Sequence, residues 1–152
     1  MQIAIADLAD ARVQDLVAFH QRAMIDGSPP GLSFALDLRG LQHPDVTVWA
    51  VHVGMQVAAI GALKRLNEAR GEVKSMRTHP DFLRQGLAAA LLETIIDYAR
   101  AENLAVLSLE TGGGPAFQPA LALYRRRGFA NGEAFGDYPL TQINQCLHFA
   151  LA

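Results

Sequence analysis

The sequence predicts an α/β protein of the α+β kind: a mixed, mostly antiparallel sheet with a central parallel strand pair and helices on both faces. Two observations predict it. Three β-rich runs, Val46–Val53, Val57–Leu66 and Glu72–His79, follow one another across short turns, the pattern of antiparallel neighbours. A helical stripe over Gly86–Asn103 separates the third run from another apolar run, Leu104–Glu110. That β-α-β passage makes its flanking strands parallel, with a right-handed crossover. The 152 residues, 51% of them hydrophobic, fit one compact domain, residues 1–152, able to bury roughly two-thirds of its unfolded surface.

Each element has its own signal. Ile3–Ala6 is a short apolar strand. From about Leu8 to Met24, the residues Leu8, Val13, Leu16, Val17, His20 and Met24 recur at helical spacing. Asp26-Gly27-Ser28-Pro29-Pro30-Gly31 is a loop, because paired prolines and flanking glycines cannot continue a helix. Phe34–Leu41 suits a short second helix. Val46–Leu63 carries no charge and is long enough to raise a membrane span. The Gly54-Met55 pair at its middle reads better as the turn of a hairpin. Asn67–Gly71 is a polar turn, and the strand after it stops at Pro80. In Gly86–Asn103, Leu87, Leu91, Ile95 and Tyr98 share one stripe, with Arg100 and Asn103 suited to its C-terminal end. Gly112–Gly114 read as a flexible turn. Pro119–Arg127 is a helix closed by Gly128. Phe129 and then Asn144–Leu151 supply the last strands.

Composition excludes several classes. A net charge of −2 and a pI near 6.2 lack the basic excess of a nucleic-acid binder. The apolar content is too high for a disordered chain. One cysteine, Cys146, allows neither an internal disulfide nor a cysteine-based zinc site. The five histidines show no ligand spacing, so no metal is expected. No segment reads as a targeting signal. The expectation is a soluble cytoplasmic protein without membrane partners.

The junction His79-Pro80-Asp81-Phe82-Leu83-Arg84-Gln85-Gly86-Leu87-Ala88-Ala89 is the most informative stretch. A strand ends, a short polar loop follows, and a long helix begins. The first amides of a helix lack intrahelical partners and sit at its positive end, so a phosphate fits there. Arg84 adds a planar cation suited to phosphate, and Gly86 and Ala88 are small enough to let an anion approach the backbone.

Here the chain resembles the GNAT superfamily of N-acetyltransferases. Leu83-Arg84-Gln85-Gly86-Leu87-Ala88 is similar to that family's coenzyme-A pyrophosphate loop, with the glycine and final alanine matching and Leu83 standing where arginine or glutamine is usual. Leu123-Tyr124-Arg125-Arg126-Arg127-Gly128-Phe129 resembles its second signature, an aromatic on a helix ending in Gly-Phe. Family members often carry Asn near the start of that helix, where this chain has Phe117-Gln118. The resemblance covers nearly the whole chain and implies acetyl-CoA as co-substrate. It further implies that the central parallel strands splay, that Met76, Arg77 and Thr78 contact pantetheine, and that Arg84, Gln85, Gly86, Leu87, Ala88 and Ala89 hold the pyrophosphate. Tyr124 matches the family's general acid. An amide near Met76 or Arg77 could act as oxyanion donor.

Acetyl transfer needs a neutral amine, and a lysine-like amine of pKa ~10.4 needs a base at neutral pH. Glu72, at a position where some family members carry a catalytic glutamate, and Glu110, on the neighbouring strand, are the candidates, with a water chain as the alternative. Lys74 projects to the same face as Glu72 and could hold it ionised. By resemblance, Met24 and the segment containing Asp137 and Tyr138 border the acceptor, Asp137 attracting a cation and Tyr138 stacking. The reading is therefore an N-acetyltransferase acting on a small-molecule or amino-acid-like amine by direct attack in a ternary complex. A non-catalytic acyl-CoA sensor and a protein lysine acetyltransferase are its rivals. An exposed edge strand offers a surface for a homodimer.

Overall fold

A computed structural model describes residues 1–31, 33–139 and 141–151. In chain order the elements are β1 (Gln2–Ile5), α1 (Ala11–Asp26), α2 (Leu38–Leu41), β2 (Val46–Val53), β3 (Gln56–Arg65), β4 (Arg70–Thr78), α3 (Leu87–Ala101), β5 (Val106–Gly112), α4 (Gln118–Arg127), β6 (Ala130–Gly132) and β7 (Asn144–Ala150). Short 3-10 turns at Pro80–Phe82 and Pro115–Phe117 lead into α3 and α4. The strands form one sheet in the order β1-β2-β3-β4-β5-β7-β6. Among the described pairings only β4–β5 is parallel. The expected fold class is the observed one.

Side chains alternate across the sheet, as the pleat requires. Trp49, Val51, Ala59 and Leu63 face α3 and α4, whereas Val48, Ala50, Ile60 and Ala62 face α1 and α2. The stripe of α3 buries Leu87, Leu91, Leu92, Ile95, Ile96 and Ala99. At about 2 kcal/mol for each fully buried Leu or Ile, that stripe fixes α3 firmly, and with it the position of the helix start.

Several boundaries differ from the sequence reading, each for a local reason. The first helix starts at Ala11, not near Leu8, because the Asp10 side chain accepts the Arg12 amide at 2.8 Å and caps it. Of Phe34–Leu41 only Leu38–Leu41 is helical, since Asp37 caps the Gly40 amide at 2.8 Å and so sets the start there. Gly112 belongs to β5, where it pairs with Asn144, and the Gly113 amide donates to the Ile143 carbonyl at 3.0 Å. Of the expected glycine turn, Gly112 is thus strand, while Gly113 and Gly114 lie beyond its end. The Gly54-Met55 hairpin turn forms, with Gly54 at φ +59°. No helix among the described residues is long and apolar enough to cross a membrane.

Candidate active site

The site begins with an irregularity in β4. Across the β3–β4 ladder, Ile60 pairs with Arg77 and Ala62 with Lys74, so one extra residue is accommodated in β4. This is a β-bulge, and it places Ser75 in the left-handed region at φ +57°. Opposite it, a Cβ on Gly61 would lie 2.5 Å from Met76 Sδ and 3.0 Å from Leu91. The absence of a side chain at Gly61 leaves the room that the Met76 and Leu91 side chains fill. On the other edge of β4, pairing with β5 covers only Arg70–Glu72 against Val106–Ser108. Beyond Glu72 the strands part, and the β5-facing main-chain groups of β4 have no strand partner there.

The start of α3 faces this gap. Arg84 (φ +62°) and Gly86 (φ +78°) curl the backbone, and Gly86 caps α3 with no side-chain hydrogen bond. The first intrahelical bond runs from the Ala90 amide to the Gly86 carbonyl at 3.1 Å. The amides of Leu87, Ala88 and Ala89 consequently lack helical partners. A Cβ at Gly86 would meet nothing within 4 Å; glycine is favoured there by its backbone angle, not by space.

Tyr124 enters from α4. It is buried, its ring inclined against Phe129 at 5.7 Å. Burial raises the phenol above its ordinary pKa, opposed by the nearby Arg77 charge. Arg77 Nε in turn donates to His20 Nδ1 at 2.9 Å. His20, on α1, is 5% exposed. Burial first, then the charges of Arg77 and Lys74, lower its pKa to about 3, so it stays a neutral acceptor. The unfolded chain binds a proton at this residue below about pH 6.5 and the folded chain does not until about 3. Stability accordingly falls as pH drops through that window, by up to about 1.4 kcal/mol per pH unit from this group. Urea unfolding of wild type and His20→Gln between pH 7 and 4.5 measures it; parallel pH dependences in the two proteins would remove His20 as the cause.

Two carboxylates flank the gap. Glu72 is 4% exposed. Lys74 Nζ donates to its Oε2 at 3.1 Å, and the Tyr138 hydroxyl donates to the same oxygen. Lys74 also donates to the Tyr138 hydroxyl and lies 5.1 Å from the centre of its ring. The Tyr138 ring is wedged edge-on between Phe34 and Phe135. Burial, then the Glu72 charge, raise the Tyr138 pKa and keep it a donor. Glu110 is less encumbered. It accepts one bond from Asn144 Nδ2 at 3.1 Å. Burial pushes its carboxyl up, opposed by the Asn144 bond and Lys74, with Glu72 adding a smaller upward push.

These groups line one cavity of about 500 Å³. Of the residues singled out in the sequence, Met24, Glu72, Met76, Arg77, Thr78, Arg84, Gly86, Leu87, Ala88, Ala89, Glu110, Tyr124 and Tyr138 all border it. Gln85 and Asp137 do not; both are exposed. Of the three consecutive arginines, only Arg126 reaches the cavity, while Arg127 pairs with Glu93 and Arg125 with Asn131 and Gln145. The sequence reading did not single out the His20–Arg77 contact or Asn144. A histidine within the apolar stripe of α1 was the one available signal for the former. The latter depends on the β5–β7 register, which sets Asn144 beside Gly112. No cluster of three or more metal-binding side chains occurs among the described residues.

A sheet that splays at its one parallel pair, an uncapped helix start facing the gap and a buried tyrosine across from it define an acyl-CoA-dependent transferase architecture. Residues 13–129 match the model of the Acetyltransferase (GNAT) family, and the chain belongs to that family as an acyltransferase. It is similar to the uncharacterized N-acetyltransferase YedL of Escherichia coli K12, 46% identical over 95% of this chain and 91% of that protein. It is also similar to the uncharacterized N-acetyltransferase YsnE of Bacillus subtilis 168, 43% identical over 91% of each chain. Among solved structures, a GNAT family acetyltransferase from Elizabethkingia anophelis with acetyl-CoA bound superposes at TM-score 0.70 and 16% identity, over 98% of this chain and 97% of that one. That last likeness is one of fold.

Proposed function

We propose that this chain is a single-domain bacterial N-acetyltransferase of the cytoplasm, moving the acetyl group of acetyl-CoA to the amine of a small molecule by direct attack in a ternary complex. The observation that carries the proposal is the convergence, on one cavity, of the free amides of α3, the unpaired edge of β4, Tyr124, the buried Glu72 and the half-buried Glu110.

The free amides of Leu87–Ala89, with Arg84, suit a pyrophosphate. The β4 edge from Met76 to Thr78 offers main-chain partners to the amides of pantetheine, as it would to another strand. Glu110 is the better-placed base, because the acceptor oxygen of Glu72 is already shared by Lys74 and Tyr138. Glu110 takes a proton as the amine nitrogen bonds to the thioester carbon. An amide of the bulge near Met76 or Arg77 stabilises the oxyanion. The carbon–sulfur bond then breaks, the electron pair leaves on sulfur, and Tyr124 supplies the proton.

The test is calorimetric titration of acetyl-CoA into wild type and Gly86→Val. The wild type binds; the variant, forced from φ +78°, binds roughly tenfold or more weakly, a loss of about 1.4 kcal/mol. Thiol release on adding amines then reports transfer. Folded wild-type protein that gives no heat at millimolar acetyl-CoA sinks the proposal.

A further inference from the structure

A second cavity, of about 380 Å³, abuts the first. Met24, Phe34, Phe117 and Glu110 border both, so Glu110 stands at the passage between them. The two chambers differ in charge. The first carries Lys74, Arg77, Arg84 and Arg126 together with Glu72. The second carries one charged group among the described residues, the Glu110 carboxylate. The rest of its lining is apolar or uncharged, with Ile143 and Pro29 extending the apolar wall.

Among the described residues, a ligand in that chamber meets one anion and no cation. An ammonium group fits beside Glu110; it releases one proton to water, and the carboxylate takes the second as the nitrogen attacks the thioester. A second charge of either sign would have no partner, and an unpaired charge out of water is costly. An α-amino acid places its carboxylate beside its amine, hence beside Glu110. The nearest ammonium, Lys74, is bound to Glu72 and Tyr138. The volume lies at the small end of the usual range for ligand sites, about 300–1,000 Å³.

We infer that the second cavity is the acceptor site, and that it takes a primary amine with an uncharged, largely apolar body, such as an arylalkylamine, in preference to a zwitterionic amino acid or a polyamine. This rests on the transferase reading above and narrows it. The nitrogen lies at Glu110, facing the gap between β4 and β5, while the apolar body packs between Phe34, Phe117 and Ile143.

The experiment measures initial rates of thiol release from acetyl-CoA with 2-phenylethylamine, phenylalanine, spermidine and a lysine-containing peptide. The expected kcat/KM for 2-phenylethylamine exceeds that for phenylalanine roughly 100-fold, in line with the cost of leaving a buried polar group unpaired. Ile143→Arg supplies the missing cation and narrows that ratio about tenfold by raising the phenylalanine rate. Phenylalanine, spermidine or the peptide equalling or surpassing 2-phenylethylamine in wild type would overturn the inference while leaving acetyl transfer standing. Acetyl-CoA binding without thiol release on any of the amines overturns both. The wild-type comparison decides the matter alone if the arginine variant does not fold.

Discussion

Replacing Tyr124 with phenylalanine lowers kcat by about 100-fold or more while leaving acetyl-CoA affinity nearly unchanged. Removal of a positioned general acid typically costs 10²–10⁴-fold. The substitution is unusually clean here. Tyr124 is 6% exposed and packs against Phe129, and phenylalanine keeps that packing. Its hydroxyl has no hydrogen-bond partner among the described residues to leave stranded. Burial raises its pKa, so the resting group is protonated across the working pH range, as a donor must be. Two measurements separate a proton donor from a core residue. Calorimetry shows acetyl-CoA bound as tightly as by wild type. An acetyl thioester of a more acidic thiol, which leaves without protonation, recovers much of the lost rate in the variant. An unchanged kcat, with the chemical step shown to limit turnover, would make Tyr124 a packing residue only.

Lys74→Met destabilises the fold by about 3–5 kcal/mol, the usual cost of removing one partner from a buried ion pair. Both side chains are nearly closed to solvent, Lys74 at 9% and Glu72 at 5% exposure. The methionine fills similar space and, among the described residues, leaves the Glu72 carboxylate with only the Tyr138 hydroxyl. The double variant Lys74→Met/Glu72→Gln removes the stranded charge and recovers a substantial part of the loss. Urea unfolding at pH 7 measures both. A single-variant loss below about 1 kcal/mol would mean that the pair is solvated, as exposed pairs are. The same contact ties the segment around Tyr138 to β4, so the variant also loosens the wall of the cavity.

Periodicity made the elements of this fold legible. The stripe of α3, the uncharged hairpin of β2 and β3 and the β-α-β passage are local patterns, and each became the expected element. Boundaries were less legible where a cap decided them. Asp10 and Asp37 start their helices by accepting amides two or three residues ahead, and periodicity is blind to that bond. For the site, the helix start at Gly86 and the tyrosine of α4 were readable because each belongs to a short contiguous motif.

The chain's own letters determined the class of architecture, the anion-suited turn before α3 and most of the side chains that line the cavity. Tertiary structure alone decided which partners each carboxylate finds. Glu72 and Tyr138 are 66 residues apart and share a hydrogen bond; Glu110 and Asn144 are 34 apart and share another. Which partners a buried carboxylate finds depends on strand register and on where the bulge turns β4. Those are properties of pairing between distant segments, and no local pattern encodes them.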